Sequence, residues 1–235
     1  MRIADLFCGA GGAAWGIHLA CEEAGVAHEI VGFDIKPMPR YPFKFVQQDA
    51  LTVNLGGFDA VWASPPCQFY TRLRGLPWMR GREYWRSIPP TRGHLLRFGK
   101  PYILENVSDA GWDMPESIVL CGQNLGLNLY RHRRFESTHL LLQPVHQKHR
   151  AVITPGRASL GKRHHGLNGW NGAAPLPSGV QRHRSNLGIP WMIGTELAQA
   201  IPPVFAKYVW AQLLQACATR GTGEEAGTKP KMEEP

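Results

Sequence analysis

Ser64-Pro65-Pro66-Cys67-Gln68 directly follows an apolar run at residues 58–63. Two prolines fix φ and stiffen the chain, so a thiol placed there is presented at the end of a strand rather than packed away. A cysteine behind a strand is more often a small buried residue. The prolines before Cys67 and the glutamine after it argue against that reading. Sulfur is nucleophilic even when only a small fraction is ionised. One reaction that needs such a thiol is substitution at carbon 5 of cytosine, a carbon too poor in electrons to react alone. Thiolate addition at carbon 6 loads electron density onto it.

Further residues could serve that chemistry. Glu105-Asn106-Val107 follows the apolar residues 101–104. A carboxyl there can donate to, or share a proton with, ring nitrogen 3 as the thiol adds. Its plain alternative is an exposed loop glutamate. Arg131-His132-Arg133-Arg134-Phe135 offers cations for the base's O2 and nearby phosphates, although an isolated run of this kind would be ordinary surface charge. Gly9, Gly11 and Ala14 have G-x-G-x-x-A spacing, which allows a tight turn and close backbone approach to a nucleotide. Asp34 lies 23 residues after Gly11, where a carboxylate can accept ribose hydroxyls. That fingerprint alone would equally serve a nicotinamide cofactor, or packing.

The elements that must position these groups alternate through the first half. Residues 3–7, 29–33, 44–47, 58–63 and 101–104 read as strands, and 12–24 and 92–98 as helices. A long Pro- and Arg-rich loop runs from 64 to 90. Alternation of this kind implies an α/β fold, a parallel sheet with helices on both faces. Ligands of open α/β sheets bind at the carboxyl ends of the strands. Residues 137–185 dissolve into Gly, His, Asn, Pro and Arg. Helical spacing returns at 194–200 and 204–216. The expected organisation is a catalytic and cofactor-binding domain (1–136), a small target-recognition lobe (137–185), a segment returning to the first domain (186–217) and a disordered tail (218–235).

The chain has 235 residues, 43% of them hydrophobic, enough for one domain and a small lobe. Its net charge of +8 favours an acidic partner such as nucleic acid. Residues 68–97 carry seven arginines against one acid, and residues 137–194 contain no acid. Two basic segments on a mixed chain fit two walls of an anion-binding cleft. Five widely spaced cysteines without a CxxC suggest free thiols and a reducing compartment. The first strand begins at once, and no apolar run approaches the roughly 20 residues of a membrane span. A cytoplasmic, DNA-associated protein that does not enter the membrane is expected. His146-x-x-His149 has metal-ligand spacing, but the lobe holds no cysteine or acid to complete a zinc set. No metal is assigned.

Taken in order, Asp5-Leu6-Phe7-Cys8-Gly9-Ala10-Gly11-Gly12, Pro65-Pro66-Cys67-Gln68, Glu105-Asn106-Val107 and Arg131-x-Arg133 resemble the successive motifs of the DNA cytosine-5 methyltransferases, the compact phage and bacterial members above all. Residues 196–205 resemble the family's last motif, and the likeness runs from about residue 2 to 214 outside the small lobe. The family's glutamine two residues before Arg131 is Leu129 here.

The resemblance implies a Rossmann-like, parallel-sheet, S-adenosylmethionine-dependent methyltransferase domain. It implies a cofactor site drawn from Asp5, Phe7, Gly9, Gly11, Asp34, Ile35, Asp49, Ala50 and Pro65. Phe7, Gly9 and Gly11 would line the methionine end, Asp34 would hold the ribose, and Asp49 the adenine amino group. Cys67 would be the nucleophile, Glu105 would act on nitrogen 3, and Arg131 and Arg133 would hold the activated base. The target base would be flipped out of the duplex, as chemistry on a stacked base requires. Gln68, Arg72 and Arg74, in a loop closing over double-stranded DNA, and Arg157, Lys162, Arg163 and Arg182, in the lobe, would contact nucleic acid. A monomer is expected. Rival readings are an RNA cytosine-5 methyltransferase acting on transfer RNA, a catalytically silent DNA-binding protein and, more distantly, an oxidoreductase.

Overall fold

The computed structural model describes residues 1–71, 81–127, 131–146 and 180–221. Seven strands form one sheet in the order β3-β2-β1-β4-β5-β7-β6. In chain order they are β1 (Arg2–Leu6), β2 (Glu29–Asp34), β3 (Lys44–Gln47), β4 (Ala60–Ala63), β5 (Tyr102–Val107), β6 (Ile118–Cys121) and β7 (His132–Ser137). Strands β1 to β5 pair in parallel, and β7 runs antiparallel between β5 and β6. The helices are α1 (Gly12–Glu23), α2 (Ile88–Phe98), α3 (Val180–Leu187), α4 (Gly194–Gln199) and α5 (Pro203–Gly221). This is the mostly parallel, doubly wound α/β architecture of Rossmann-like folds. No helix among the described residues is long and apolar enough to cross a membrane.

Each face of the sheet buries its own apolar layer. On one side Ile17, Ala20 and Cys21 of α1 meet Phe205, Val209, Trp210 and Leu213 of α5, over Ile3, Trp62, Ile103 and Phe135. On the other side Ile88 and Leu95 of α2 pack with Leu6, Phe33, Val61 and Leu104. Helices α1 and α5 touch because Gly12 and Gly16 carry no side chain. A Cβ on Gly12 would stand 2.4 Å from the Ile201 carbonyl oxygen, and one on Gly16 2.1 Å from that of Pro203. A third, smaller cluster joins Ala10 of the first turn to Leu187, Ile189, Met192 and Leu197. Residues 187–200 thus pack against the glycine turn.

Several boundaries differ from the sequence reading. Strand β1 ends at Leu6, because Phe7 turns to φ +57°. Strand β5 extends to Val107, so Glu105 lies within it rather than past its end. Helix α2 begins at Ile88 with prolines in its first turn, where their missing N–H groups cost nothing. Helix α3 straddles the expected lobe boundary at 185, and α5 runs to Gly221, into the segment expected to be a disordered tail. Strands β6 and β7 were not anticipated. Polar β7, His132-Arg133-Arg134-Phe135-Glu136-Ser137, lacks the apolar character that marks a buried strand.

Candidate active site

The segment after β4 is fixed carbonyl by carbonyl. Prolines lack an N–H, so the oxygens must find donors. Asn106 Nδ2 donates to the Pro65 oxygen (2.9 Å), and Ser87 Oγ to that of Pro66 (2.7 Å). The backbone N–H groups of Tyr70 and Thr71 both donate to the Cys67 oxygen at 3.0 Å. Three separate elements therefore hold the thiol at the carboxyl edge of the sheet.

Around it converges a buried charge cluster. The β5–β7 register pairs Glu105 with Phe135 and Val107 with Arg133, so Glu105 and Arg133 share one face as diagonal neighbours. Arg133 Nε lies 3.1 Å from Glu105 Oε1. The angle there does not make a hydrogen bond, and Oε1 has no hydrogen-bond partner among the described residues. Ser64, itself accepting the Trp62 indole N–H at 2.8 Å, hydrogen-bonds the Glu105 carboxylate. Burial pushes Glu105 above the usual carboxylate range, against the pull of Arg133, Ser64 and Arg131. Burial likewise pushes the Cys67 thiol up, with Arg133 pulling it down, Glu105 raising it, and Arg131 a weaker pull. Arg131 is buried beside Arg133, and both conditions penalise its charge. Its guanidinium donates to the Ala198 oxygen at 3.3 Å, while its Nε lacks a partner among the described residues. A thiol, a protonatable carboxyl and two guanidiniums thus act on one another in a site largely withdrawn from water. Such a site can add a nucleophile to a ring while donating a proton and holding an oxyanion.

The glycine turn lies along the same edge, after β1. Phe7, Gly9 and Gly11 all adopt positive φ (57°, 50° and 85°). The Gly9 N–H donates to Asp34 Oδ2 at 3.1 Å, and the Lys36 N–H to Oδ1 at 3.0 Å. Nothing lies within 4 Å of where a Gly9 Cβ would stand, so the turn presents open backbone. Ile35 is 66% exposed beside Asp34, an apolar face with the reach to cover a flat ring. Asp49 uses Oδ1 to cap a short 3-10 turn through the Leu51 N–H (3.0 Å), and Ala50 next to it is buried. Open glycine backbone, an apolar ledge and two carboxylates fit a nucleoside-bearing cofactor. Asp5 is 1% exposed and accepts the Tyr41 hydroxyl at 3.0 Å. It is closed off from solvent beneath the turn, and its Oδ1 has no hydrogen-bond partner among the described residues. Burial, with Asp34 adding, lifts its carboxyl to about 7 against the Tyr41 hydrogen bond.

The structure brings Cys67, Glu105, Arg131 and Arg133 together, and it gathers Phe7, Gly9, Gly11 and Asp34 around the glycine turn. Pro65 is buried under the thiol loop, and Gln68 is exposed beside Cys67. Arg72, Arg74, Arg157, Lys162 and Arg163 lie outside the described residues, and Arg182 is placed only as part of the α3 backbone. Sequence reasoning missed Ser64, Asn106 and Ser87, which support the site; Trp85, read there as one of the aromatics of the loop closing over DNA, has its ring centroid 6.3 Å from that of Phe7. It also missed Trp191, whose indole N–H donates to the Ala10 oxygen at 2.9 Å. Ser64 and Asn106 adjoin the motif residues, so adjacency was the available signal. Trp191 carried none.

No protein-family model matches this sequence, and none of the curated proteins does. Among solved structures, the chain is similar to the Entamoeba histolytica methyltransferase EhMeth (14% identity, TM-score 0.44, 63% of this chain and 57% of that one). It is also similar to a class I S-adenosylmethionine-dependent methyltransferase from Listeria monocytogenes (15% identity, TM-score 0.36, 61% and 55%). A third is an RNA methyltransferase from Salinibacter ruber in complex with S-adenosyl-L-homocysteine (11%, TM-score 0.30, 63% and 86%). The chain spans little more than half the length of the first two. At these identities and TM-scores the likenesses carry no functional weight.

Proposed function

We propose that this chain is an S-adenosylmethionine-dependent DNA cytosine-5 methyltransferase. The observation that carries the reading is the mutual electrostatics of Cys67, Glu105 and Arg133 at the carboxyl edge, next to the open glycine turn. Phe7, Gly9, Gly11, Asp34, Ile35 and Asp49 would hold the cofactor. S-adenosylmethionine, when bound, supplies an electrophilic methyl group.

The residues divide the remaining work. Cys67 Sγ adds to carbon 6 of a flipped cytosine, and its electron pair moves through the ring to carbon 5. Glu105, whose hold on a proton burial strengthens, can share one with nitrogen 3. Arg133 pulls the thiol toward its ionised form and sits where it can hold the base's O2. After transfer the carbon 5 proton departs to solvent, the sulfur–carbon 6 bond breaks, and the ring regains aromaticity. Double-stranded DNA is the proposed partner because the basic segments suit phosphate contacts.

The test incubates the purified protein with labelled S-adenosylmethionine and either duplex DNA or transfer RNA, then analyses nucleosides by mass spectrometry. Labelled 5-methylcytosine in the DNA arm, absent with Cys67→Ala, is expected. Label in the RNA arm alone would move the substrate to RNA. No methylcytosine in either arm would refute the reading.

A further inference from the structure

A cluster of metal-ligating side chains stands at the far corner of the sheet, apart from Cys67. Cys121 ends β6, and the β6–β7 register pairs it with His132 at the start of β7. The chain beyond β7 then folds back along β6, bringing His146 over the pair. His132 Nε2 and His146 Nε2 lie 2.9 Å apart, and the Cys121 sulfur lies within 4.8 Å of a ring nitrogen of each histidine. Cys121 is buried, His132 half-buried and His146 exposed, so the group opens to solvent on one side only.

The returning segment is tied down on both flanks. Gln143 Oε1 accepts the Val119 N–H of β6 at 2.6 Å, and Asn124 Nδ2 donates to the Val145 oxygen at 2.6 Å. From α5, Gln212 Oε1 accepts the Leu142 N–H at 2.6 Å, and the Tyr208 hydroxyl donates to the Leu142 oxygen at 3.0 Å. His146 therefore arrives beside its partners on an anchored backbone. Alternation along β7 sends His132 and Arg133 to opposite faces, which separates this cluster from the thiol chemistry.

We propose that Cys121, His132 and His146 bind one zinc ion. Zinc takes thiolate and imidazole ligands at about 2.3 and 2.0–2.1 Å in a tetrahedron, which sets its donors roughly 3.3–3.6 Å apart. The two imidazole nitrogens need to separate by only a few tenths of an ångström to admit the ion. One sulfur and two nitrogens are a borderline-soft set, suited to zinc over magnesium or calcium. Binding releases the Cys121 thiol proton to solvent and leaves both imidazoles neutral. The fourth position takes water. Sequence reasoning assigned no metal because it sought every ligand within residues 137–185. The fold supplies two of them from β6 and β7. A second group, His18, Glu22 and His28, is weaker: His28 Nδ1 already engages the Val26 oxygen at 2.9 Å, and Glu22 is largely exposed. The zinc ion would pin the segment ending at His146 to the edge of the sheet.

The test uses the full chain, purified without chelator. Elemental analysis should find one zinc per chain, and thermal unfolding should shift upward on zinc addition to stripped protein. Cobalt(II) replacement should give a thiolate-to-metal charge-transfer band that survives Cys67→Ser and disappears in Cys121→Ser. Because Cys121 is buried, exposed His146→Ala is the second variant. It should fold as wild type yet lose zinc stoichiometry. Less than about a tenth of an equivalent of zinc on folded wild-type protein after zinc exposure would overturn the proposal. A charge-transfer band that persists in Cys121→Ser would overturn it too, by placing the thiolate ligand elsewhere.

Discussion

Arg133 Nε stands 3.1 Å from Glu105 Oε1 across the antiparallel seam between β7 and β5, with both side chains nearly excluded from water. The antiparallel strand is what allows this pair. It brings a cation from a later part of the chain back to the edge where β4 and β5 deliver Cys67 and Glu105. Arg133 thus compensates a buried carboxylate and at the same time favours ionisation of the neighbouring thiol.

Removing that cation should be felt at both partners. Arg133→Ala is expected to raise the Cys67 thiol further, shifting the pH profile of Cys67 alkylation to higher pH. It should also cost stability of roughly 3–5 kcal/mol where Glu105 is ionised, the usual penalty for stranding a buried charge. Glu105→Gln in the same background should recover much of that loss. Denaturant titration of the two single variants and the double variant gives the coupling directly.

Asp5 offers a pH test. Its folded-state carboxyl, at about 7, lies above its ordinary value of 3.8. Between those values the folded state binds more protons than the unfolded chain. The contribution of Asp5 is therefore fully present below about pH 4 and is lost as pH rises through 7. Against Asp5→Asn, wild type should lose about 4 kcal/mol of relative stability over that window. Parallel stability curves for the two proteins would mean the carboxyl is not buried as described.

The glycines of α1 are structural. Gly16→Ala forces a Cβ to 2.1 Å from the Pro203 oxygen and should destabilise by about 1–3 kcal/mol, with α5 shifted away. Gly93→Ala is the contrast. In α2 its added Cβ meets nothing nearer than Arg97 Nη1 at 3.7 Å, so it should stabilise by roughly 0.5–1 kcal/mol. Thermal melts of both variants separate close packing from helix propensity.

Asn106 is a positioning residue, acting on Cys67 through the Pro65 oxygen. Asn106→Ala should lower kcat on DNA by about one to two orders of magnitude, as small misplacements of a reacting group do, with cofactor affinity unchanged. An equal loss of cofactor binding would place its effect in the fold instead of in the thiol loop.

Where the sequence was legible, local chemistry and tertiary demand agreed. The glycine spacing at Gly9 and Gly11, the stiff Pro65-Pro66 and the apolar parallel strands each announce their own geometry. Strand β7 was not legible because its charged residues answer to partners far along the chain: Arg133 to Glu105, Arg134 to the Ser108 oxygen and Glu136 to Arg92. The same reason hid the Cys121, His132 and His146 cluster, whose ligands meet only through strand pairing and a returning segment. Asp5 reads like a ligand-facing carboxylate in sequence, yet Tyr41 seals it beneath the turn.

The central claim is that Cys67 adds covalently to carbon 6 of cytosine in DNA. Duplex DNA of random sequence, with 5-fluorocytosine in place of cytosine, tests it most directly. After methyl transfer the fluorine leaves no proton on carbon 5 to remove, so the sulfur–carbon bond cannot break by the usual route. With S-adenosylmethionine present, the account predicts a stable protein–DNA adduct, mapped by peptide mass spectrometry to Cys67 and absent in Cys67→Ala. Turnover of unmodified DNA without any adduct on the fluorinated duplex, or an adduct at another residue, would contradict it.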